Sequence, residues 1–173
     1  RGQTSPTRGR QLADALRLNS SLSPAYLNGL SALHKASLAG FLNGAIDLVF
    51  RTPDSAAGHR WYVADYKSNR IATRHITHVP VTTYNQERMS EQMVHHHYLL
   101  QLHLYTLVLH RFLRHRLPNY NYDEHVGGAA YLFIRGMIGT ADPSEPGTHG
   151  VFHFRPEASV IEALDTALEG GSS

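Results

Sequence analysis

Cysteine is absent from this chain of 173 residues. Its absence excludes a disulfide framework, a thiol nucleophile, cysteine-ligated zinc and an iron–sulfur cluster, and it fits a reducing compartment. The chain also lacks a run of about 18 apolar residues that could cross a membrane. A basic-then-apolar segment typical of a secretory signal is missing as well. These absences predict an intracellular globular protein.

Charge is scarce too. Charged residues make up 17% of the chain, below the roughly 25% that is usual, and a net charge of +2 is too small to indicate nucleic-acid binding by itself. No G-x-x-x-x-G-K-[ST] loop for ATP phosphates is found. Hydrophobic residues reach 42%, which is enough for a buried core.

The polar residues 1–10 predict a flexible terminus or linker, and 171–173 predict a flexible tail. Residues 11–170 have the length of one domain. Because the chain starts at arginine and not methionine, we expect it to be a piece of a longer protein.

The order of predicted elements is typical of an α/β fold with a mixed central sheet flanked by helices. Hydrophobic periodicity and turn residues predict short helices at 11–18 and 24–34. Residues 38–51 predict one strand, or two with a bend at Gly44, and form a hairpin with a strand at 60–66 across a loop at 52–59. One long helix at 86–116, strands at 127–135 and 150–155, and a last helix that opens at Pro156 follow.

Two aspartates and a lysine carry the candidate chemistry. Asp47 interrupts an apolar run, where a carboxylate is costly unless a cation or donor meets it. Asp65 and Lys67 alternate along the second strand and therefore point the same way. If the two strands pair as a hairpin, Asp47 lies beside Asp65, and one pocket holds two carboxylates and an ammonium group.

Such a pocket suits Mg²⁺, which binds a few carboxylates and keeps waters for substrate oxygens. A bound metal lowers the pKa of water and polarises a phosphoryl group, while Lys67 can hold or help deprotonate the water and stabilise charge on phosphorus. An ordinary ion pair at a strand end beside an isolated aspartate explains the spacing about as well.

Histidines cluster in the long helical pattern, at positions 95–97, 103 and 110. Positions 96, 103 and 110 share one predicted helix face. Structural zinc needs four closely spaced ligands, and no acidic or cysteine partner accompanies them, so a solvated face or a subunit contact is the better interpretation.

Two blocks resemble a known family. GAIDLVF followed by YVADYKSN, and then LQLHLYTLVLHRFLRHRLPNYNYDEHVGGAAYLFIRGM, are similar to the RecB branch of the PD-(D/E)XK nuclease superfamily. The similarity covers about residues 38–170 and is closest to the C-terminal nuclease domain of RecB-type helicase–nuclease subunits. It implies a restriction-endonuclease-like fold.

Position by position, the resemblance implies that Asp47, Asp65 and the main-chain carbonyl of Tyr66 bind the divalent metal, and that Lys67 and Asp65 are catalytic. It also implies that Gln101 and Tyr105, which share a helix face, line the active site or the DNA path. Taken without the family, these two residues are better explained as a solvated polar side chain and a core aromatic.

The resemblance further implies a Mg²⁺-dependent deoxyribonuclease of the exodeoxyribonuclease V type. It acts on single-stranded DNA from an ATP-driven motor outside this chain, with RecC and RecD subunits as partners, in the bacterial cytoplasm during double-strand-break repair. The family also uses a histidine ligand well upstream of the hairpin. His34 is too close to match, so the piece alone is expected to be weakly active or inactive.

Two alternatives stay open. Nuclease-like folds also serve as non-catalytic interaction modules, although the presence of both aspartates and the lysine speaks against that. An AddA-type nuclease domain is the other alternative, disfavoured by the HRFLRHRLPNYNY segment. The iron–sulfur type is excluded by the lack of cysteine.

Overall fold

The computed structural model describes residues 8–19, 22–24, 26–27, 44–54, 58–71, 79–137 and 149–169. They fall into two compact units, one comprising Arg1–Ala45 with Pro156–Ser173 and the other Ile46–Arg155. The site residues predicted from the sequence all lie in the second unit, whereas His34 lies outside the described residues. The domain bounds drawn from composition remain predictions.

The described elements follow one another along the chain as α1 (Arg8–Leu16), β1 (Leu48–Asp54), β2 (Gly58–Lys67), a 3-10 turn (Val81–Thr83), α2 (Gln86–His95), α3 (Tyr98–Arg116), α4 (Tyr122–His125), β3 (Val126–Phe133), β4 (Val151–Phe154) and α5 (Ala158–Glu169).

In the first unit, α1 packs against α5. Both helices bury apolar side chains, among them Leu16 and Ile161. The helix predicted at 11–18 thus exists but begins at Arg8. Most of the helix predicted at 24–34, and the first part of the strand predicted at 38–51, lie outside the described residues.

The second unit is built on a four-stranded sheet with the order β1-β2-β3-β4. β1 and β4 each run antiparallel to their neighbour, while β2 and β3 are parallel. The sheet is therefore mixed, and together with its helices it confirms the predicted α/β class.

The hairpin is longer than its sequence indicates. β1 and β2 pair without a break from Leu48 opposite Ala64 to Asp54 opposite Gly58, so most of the loop predicted at 52–59 is strand. β1 lies at the edge of the described sheet, the place in a sheet where a proline such as Pro53 is tolerated. Gly58 has a φ of 76°, which favours glycine at the start of β2.

The prediction of one continuous helix from Gln86 to Arg116 is wrong. α2 ends at His95, and α3 begins at Tyr98. Between them His97 has a φ of 56°, a left-handed conformation uncommon outside glycine. The sequence offers no warning, because neither proline nor glycine marks the break.

Helix α3 covers one face of β2 and β3. Its side chains Leu102, Leu109 and Leu113 are buried, as are Val63 and Phe133 of the strands. β3 is buried along almost its whole length, as its apolar run predicted. Within the described segments, no helix is long and apolar enough to span a membrane.

The expectation of a solvated histidine face is wrong for His103 and His110, although the histidines at 95–97 are exposed. His103 and His110 are buried in α3, whereas His96 belongs to the break and does not share their helix. His103 Nδ1 lies 2.6 Å from the Leu99 carbonyl oxygen, and burial lowers the pKa of His103 to about 4. This imidazole is neutral at pH 7 and is part of the core.

Candidate active site

Asp65 and Lys67 lie side by side near the end of β2, on the face that α3 covers. Lys67 Nζ is 2.6 Å from Asp65 Oδ2, and the side chains of Lys67 and Asp65 are only 11% and 7% exposed. Strand alternation explains the placement, since residues two apart share a face. Tyr66, between them, turns its half-exposed ring the other way.

Asp47 lies one residue before β1. The hairpin register pairs Leu48 with Ala64, and its continuation by one residue sets Asp47 opposite Asp65. Directly opposed residues share a face of an antiparallel pair. Asp47 Oδ2 also accepts a hydrogen bond of 2.9 Å from the Tyr66 amide, which fixes its exposed carboxylate beside β2. The hairpin therefore brings both acids to one end of the sheet.

Gln101 links α3 to this pair. Its Oε1 accepts hydrogen bonds of 3.1 Å from Lys67 Nζ and from the Tyr131 hydroxyl. Its Nε2 donates to the Tyr105 hydroxyl at 2.9 Å. Gln101 is thus bonded inside the site and is not a solvated polar side chain, and Tyr105 is buried with its hydroxyl turned to the same cluster.

The pKa values of two titratable groups in the site are raised, mainly by burial. Burial raises the pKa of Asp65; the adjacent Lys67 ammonium partly offsets this effect, and the negative charge of Asp47 adds to it. Burial likewise raises the pKa of Tyr105. The hydrogen bond to Gln101 partly offsets this effect, and the charges of Asp65 and Asp47 add to it. Like charges and burial together are typical of functional sites.

Two tyrosines of the site were missed in the sequence. The Tyr98 ring lies beneath the Lys67 ammonium, and Tyr131 lies near it. Tyr98 precedes Gln101 by three residues, so helical spacing could have placed both on one face. Tyr131 gives no such signal, because it sits within an apolar run that reads only as a buried strand.

The two acids suit a hard divalent cation. Asp65 Oδ2 is closed off from solvent, and no described group gives it a well-aligned hydrogen bond; its close partner is the Lys67 ammonium. Such an oxygen favours a cation, and Mg²⁺ needs few carboxylates. Among the described side chains, however, no three histidine, aspartate or glutamate residues converge as a metal site. Within the described part of the chain, further ligands would be backbone carbonyl groups or water.

The α/β fold with two acids and a lysine at a hairpin is compatible with a nuclease-like domain. Comparison with known sequences shows which proteins the chain resembles. The chain is 41% identical over 165 residues to the RecBCD enzyme subunit RecB of Mycobacterium tuberculosis, covering 94% of this chain and 14% of that protein. It is 39% identical over 142 residues to RecB of Escherichia coli, covering 82% of this chain and 11% of that protein.

RecB of Haemophilus influenzae is 40% identical over 134 residues, covering 78% of this chain and 10% of that protein. No protein-family model matches the chain. Over the aligned residues the chain is similar to RecB subunits, which confirms the resemblance. It spans only 10–14% of the length of these relatives.

Proposed function

We propose that this chain is the nuclease part of a RecB-type helicase–nuclease. It hydrolyses phosphodiester bonds of single-stranded DNA that a motor delivers during double-strand-break repair and recombination, in the bacterial cytoplasm. The observation that carries the proposal is the meeting of Asp47, Asp65 and Lys67 at one end of a sheet in a chain similar to RecB subunits. An ATP-driven motor and RecC and RecD subunits as partners are part of the same proposal.

In this proposal Mg²⁺ is held by Asp47, Asp65 and the main-chain carbonyl of Tyr66, and it supplies an activated water and charge neutralisation at the phosphoryl group. Lys67 brings a positive charge to the phosphoryl oxygens, where fixed charge is most effective because water is excluded. Gln101 holds that ammonium group in place through Oε1, and Tyr105 orients the amide of Gln101 in turn.

A cleavage assay tests this function. End-labelled single-stranded DNA is incubated with Mg²⁺ and the chain, alone and within the whole helicase–nuclease complex, with a chelator as the metal control. Asp65→Asn should abolish cleavage. Asp54→Asn is the matched control, since Asp54 lies in the same hairpin but pairs with Arg60 at 2.8 Å. Cleavage that survives Asp65→Asn in the complex would refute the proposal.

A non-catalytic interaction module is the competing function. It predicts that neither the chain nor the complex loses nuclease activity when Asp47, Asp65 or Lys67 is replaced. The buried contacts of Lys67 with Asp65 and Gln101 favour the enzyme, because a scaffold gains little from a lysine held between a carboxylate and an amide.

A further inference from the structure

Aromatic rings flank the Lys67 ammonium group. Its Nζ lies 3.9 Å from the centre of the Tyr98 ring and 5.1 Å from that of Tyr131. A cation over an aromatic face is attracted by the ring quadrupole. With the Asp65 carboxylate at 2.6 Å and Gln101 Oε1 at 3.1 Å, each of these four neighbours presents negative charge or electron density to the ammonium.

The Tyr98 ring is itself held in place. Its hydroxyl donates to Asn69 Oδ1 at 3.2 Å, and Asn69 follows Lys67 by two residues. The Asn69 carbonyl in turn accepts from the buried Tyr84 hydroxyl at 3.2 Å. The His96 ring stacks on Tyr98, with centroids 5.2 Å apart and planes 24° from parallel. The ring is thus tied to the strand end that carries the lysine.

The break between α2 and α3 makes this arrangement possible. Tyr98 is the first residue of α3, and Gln101 follows one turn later, so a single helix end supplies both the ring and the amide that meet Lys67. The left-handed His97 redirects the chain just before this turn, and such strained residues cluster at functional sites.

We propose that Tyr98 is a positioning residue that fixes the Lys67 ammonium group against Asp65 and Gln101 through the face of its ring. Lysine carries a point charge on a flexible four-carbon stem, so the place of that charge depends on its partners. The consequence for catalysis rests on the nuclease function proposed above, whereas the contact itself can be measured without any substrate.

Lysine NMR measures the contact directly, because Lys35 and Lys67 are the two lysines of the sequence. In protein carrying ¹³C-labelled lysine, Lys35→Arg assigns the remaining signal to Lys67. The ε-protons of Lys67 should be shifted upfield by the ring current. Tyr98→Leu should remove most of the shift, because the remaining Tyr131 ring lies farther from the ammonium group, and Tyr98→Phe should keep it. Phe112→Leu, which removes a half-exposed ring from the same helix, should leave it unchanged.

Cleavage by the whole helicase–nuclease complex measures the consequence. Tyr98→Leu should lower kcat by roughly 10-fold, the size of a partly buried cation–π contact, with little change in KM. Tyr98→Phe and Phe112→Leu should stay near the wild-type values. Should Tyr98→Leu fail to fold, pentafluorophenylalanine at position 98 fills the same space without the negative ring face, and it should lower kcat to a similar extent.

The outcomes separate the two proposals. If the Lys67 signal of the wild-type protein shows no upfield shift, the positioning role is overturned. The same holds if Tyr98→Leu loses the shift but keeps the wild-type kcat. Wild-type complex that does not cleave DNA overturns the nuclease function instead, and the Lys67 signal then decides the ring contact by itself.

Discussion

Replacement of His103 by leucine should make the free energy of unfolding depend less on pH below about pH 6.5. His103 belongs to α3, and its side chain is fully buried. Its Nδ1 lies against the Leu99 carbonyl oxygen. Burial disfavours the charged imidazole. Leucine fills a similar volume, and the Leu99 carbonyl keeps its helical amide partner four residues on, so the variant should fold.

The magnitude follows from the two pKa values. In the folded chain the pKa of His103 is about 4, against 6.5 for a free histidine. Between these values the unfolded chain binds a proton that the folded chain does not, so stability is highest above pH 6.5 and falls as the pH drops towards 4. At about 1.36 kcal/mol per pH unit, the loss is about 3 kcal/mol.

Urea unfolding from about pH 7 to about pH 4 measures the effect. Trp61, the single tryptophan of the chain, lies in β2 of the same unit and reports its unfolding by fluorescence. Wild-type protein should lose about 3 kcal/mol more than His103→Leu over this range. His115→Leu, an exposed position in the same helix, is the control. Parallel curves for wild type and His103→Leu would show that the buried imidazole does not resist protonation.

Substitutions at three further positions probe the hairpin and its neighbour strand. Lys67→Met keeps the stem but leaves the buried Asp65 unpaired, so urea unfolding should show a loss of about 3 kcal/mol; unchanged stability would contradict the buried pair. Asp47→Asn keeps the acceptor for the Tyr66 amide and removes the repulsion with Asp65, whereas Asp47→Ala should cost about 1 kcal/mol; equal thermal midpoints would argue against that bond. Gly128 has a φ of 106°, and a Cβ there would lie 2.6 Å from the Phe154 carbonyl oxygen. Gly128→Ala should therefore lose at least about 2 kcal/mol, and a midpoint equal to wild type would disprove this strain.

The sequence by itself determined the local geometry of the acids. Period-two alternation puts Asp65 and Lys67 on one face of a strand whatever the rest of the chain does. The two strand-forming runs around a loop predict an antiparallel hairpin, and that pairing brings Asp47 opposite Asp65. The long apolar run of β3 likewise indicates a buried strand, because only a strand covered on both faces can remain so apolar.

Tertiary structure decided what surrounds the lysine. Gln101 on α3 lies 34 residues from Lys67 along the chain, and Tyr131 on β3 lies 30 residues from Gln101. Whether these side chains meet depends on where α3 packs. No local pattern encodes such a distance. The break at His96 and His97 was equally invisible, since each residue there is compatible with a helix by itself. Burial of His103 has the same cause: whether a helical histidine faces water or the core is settled by the elements packed against it.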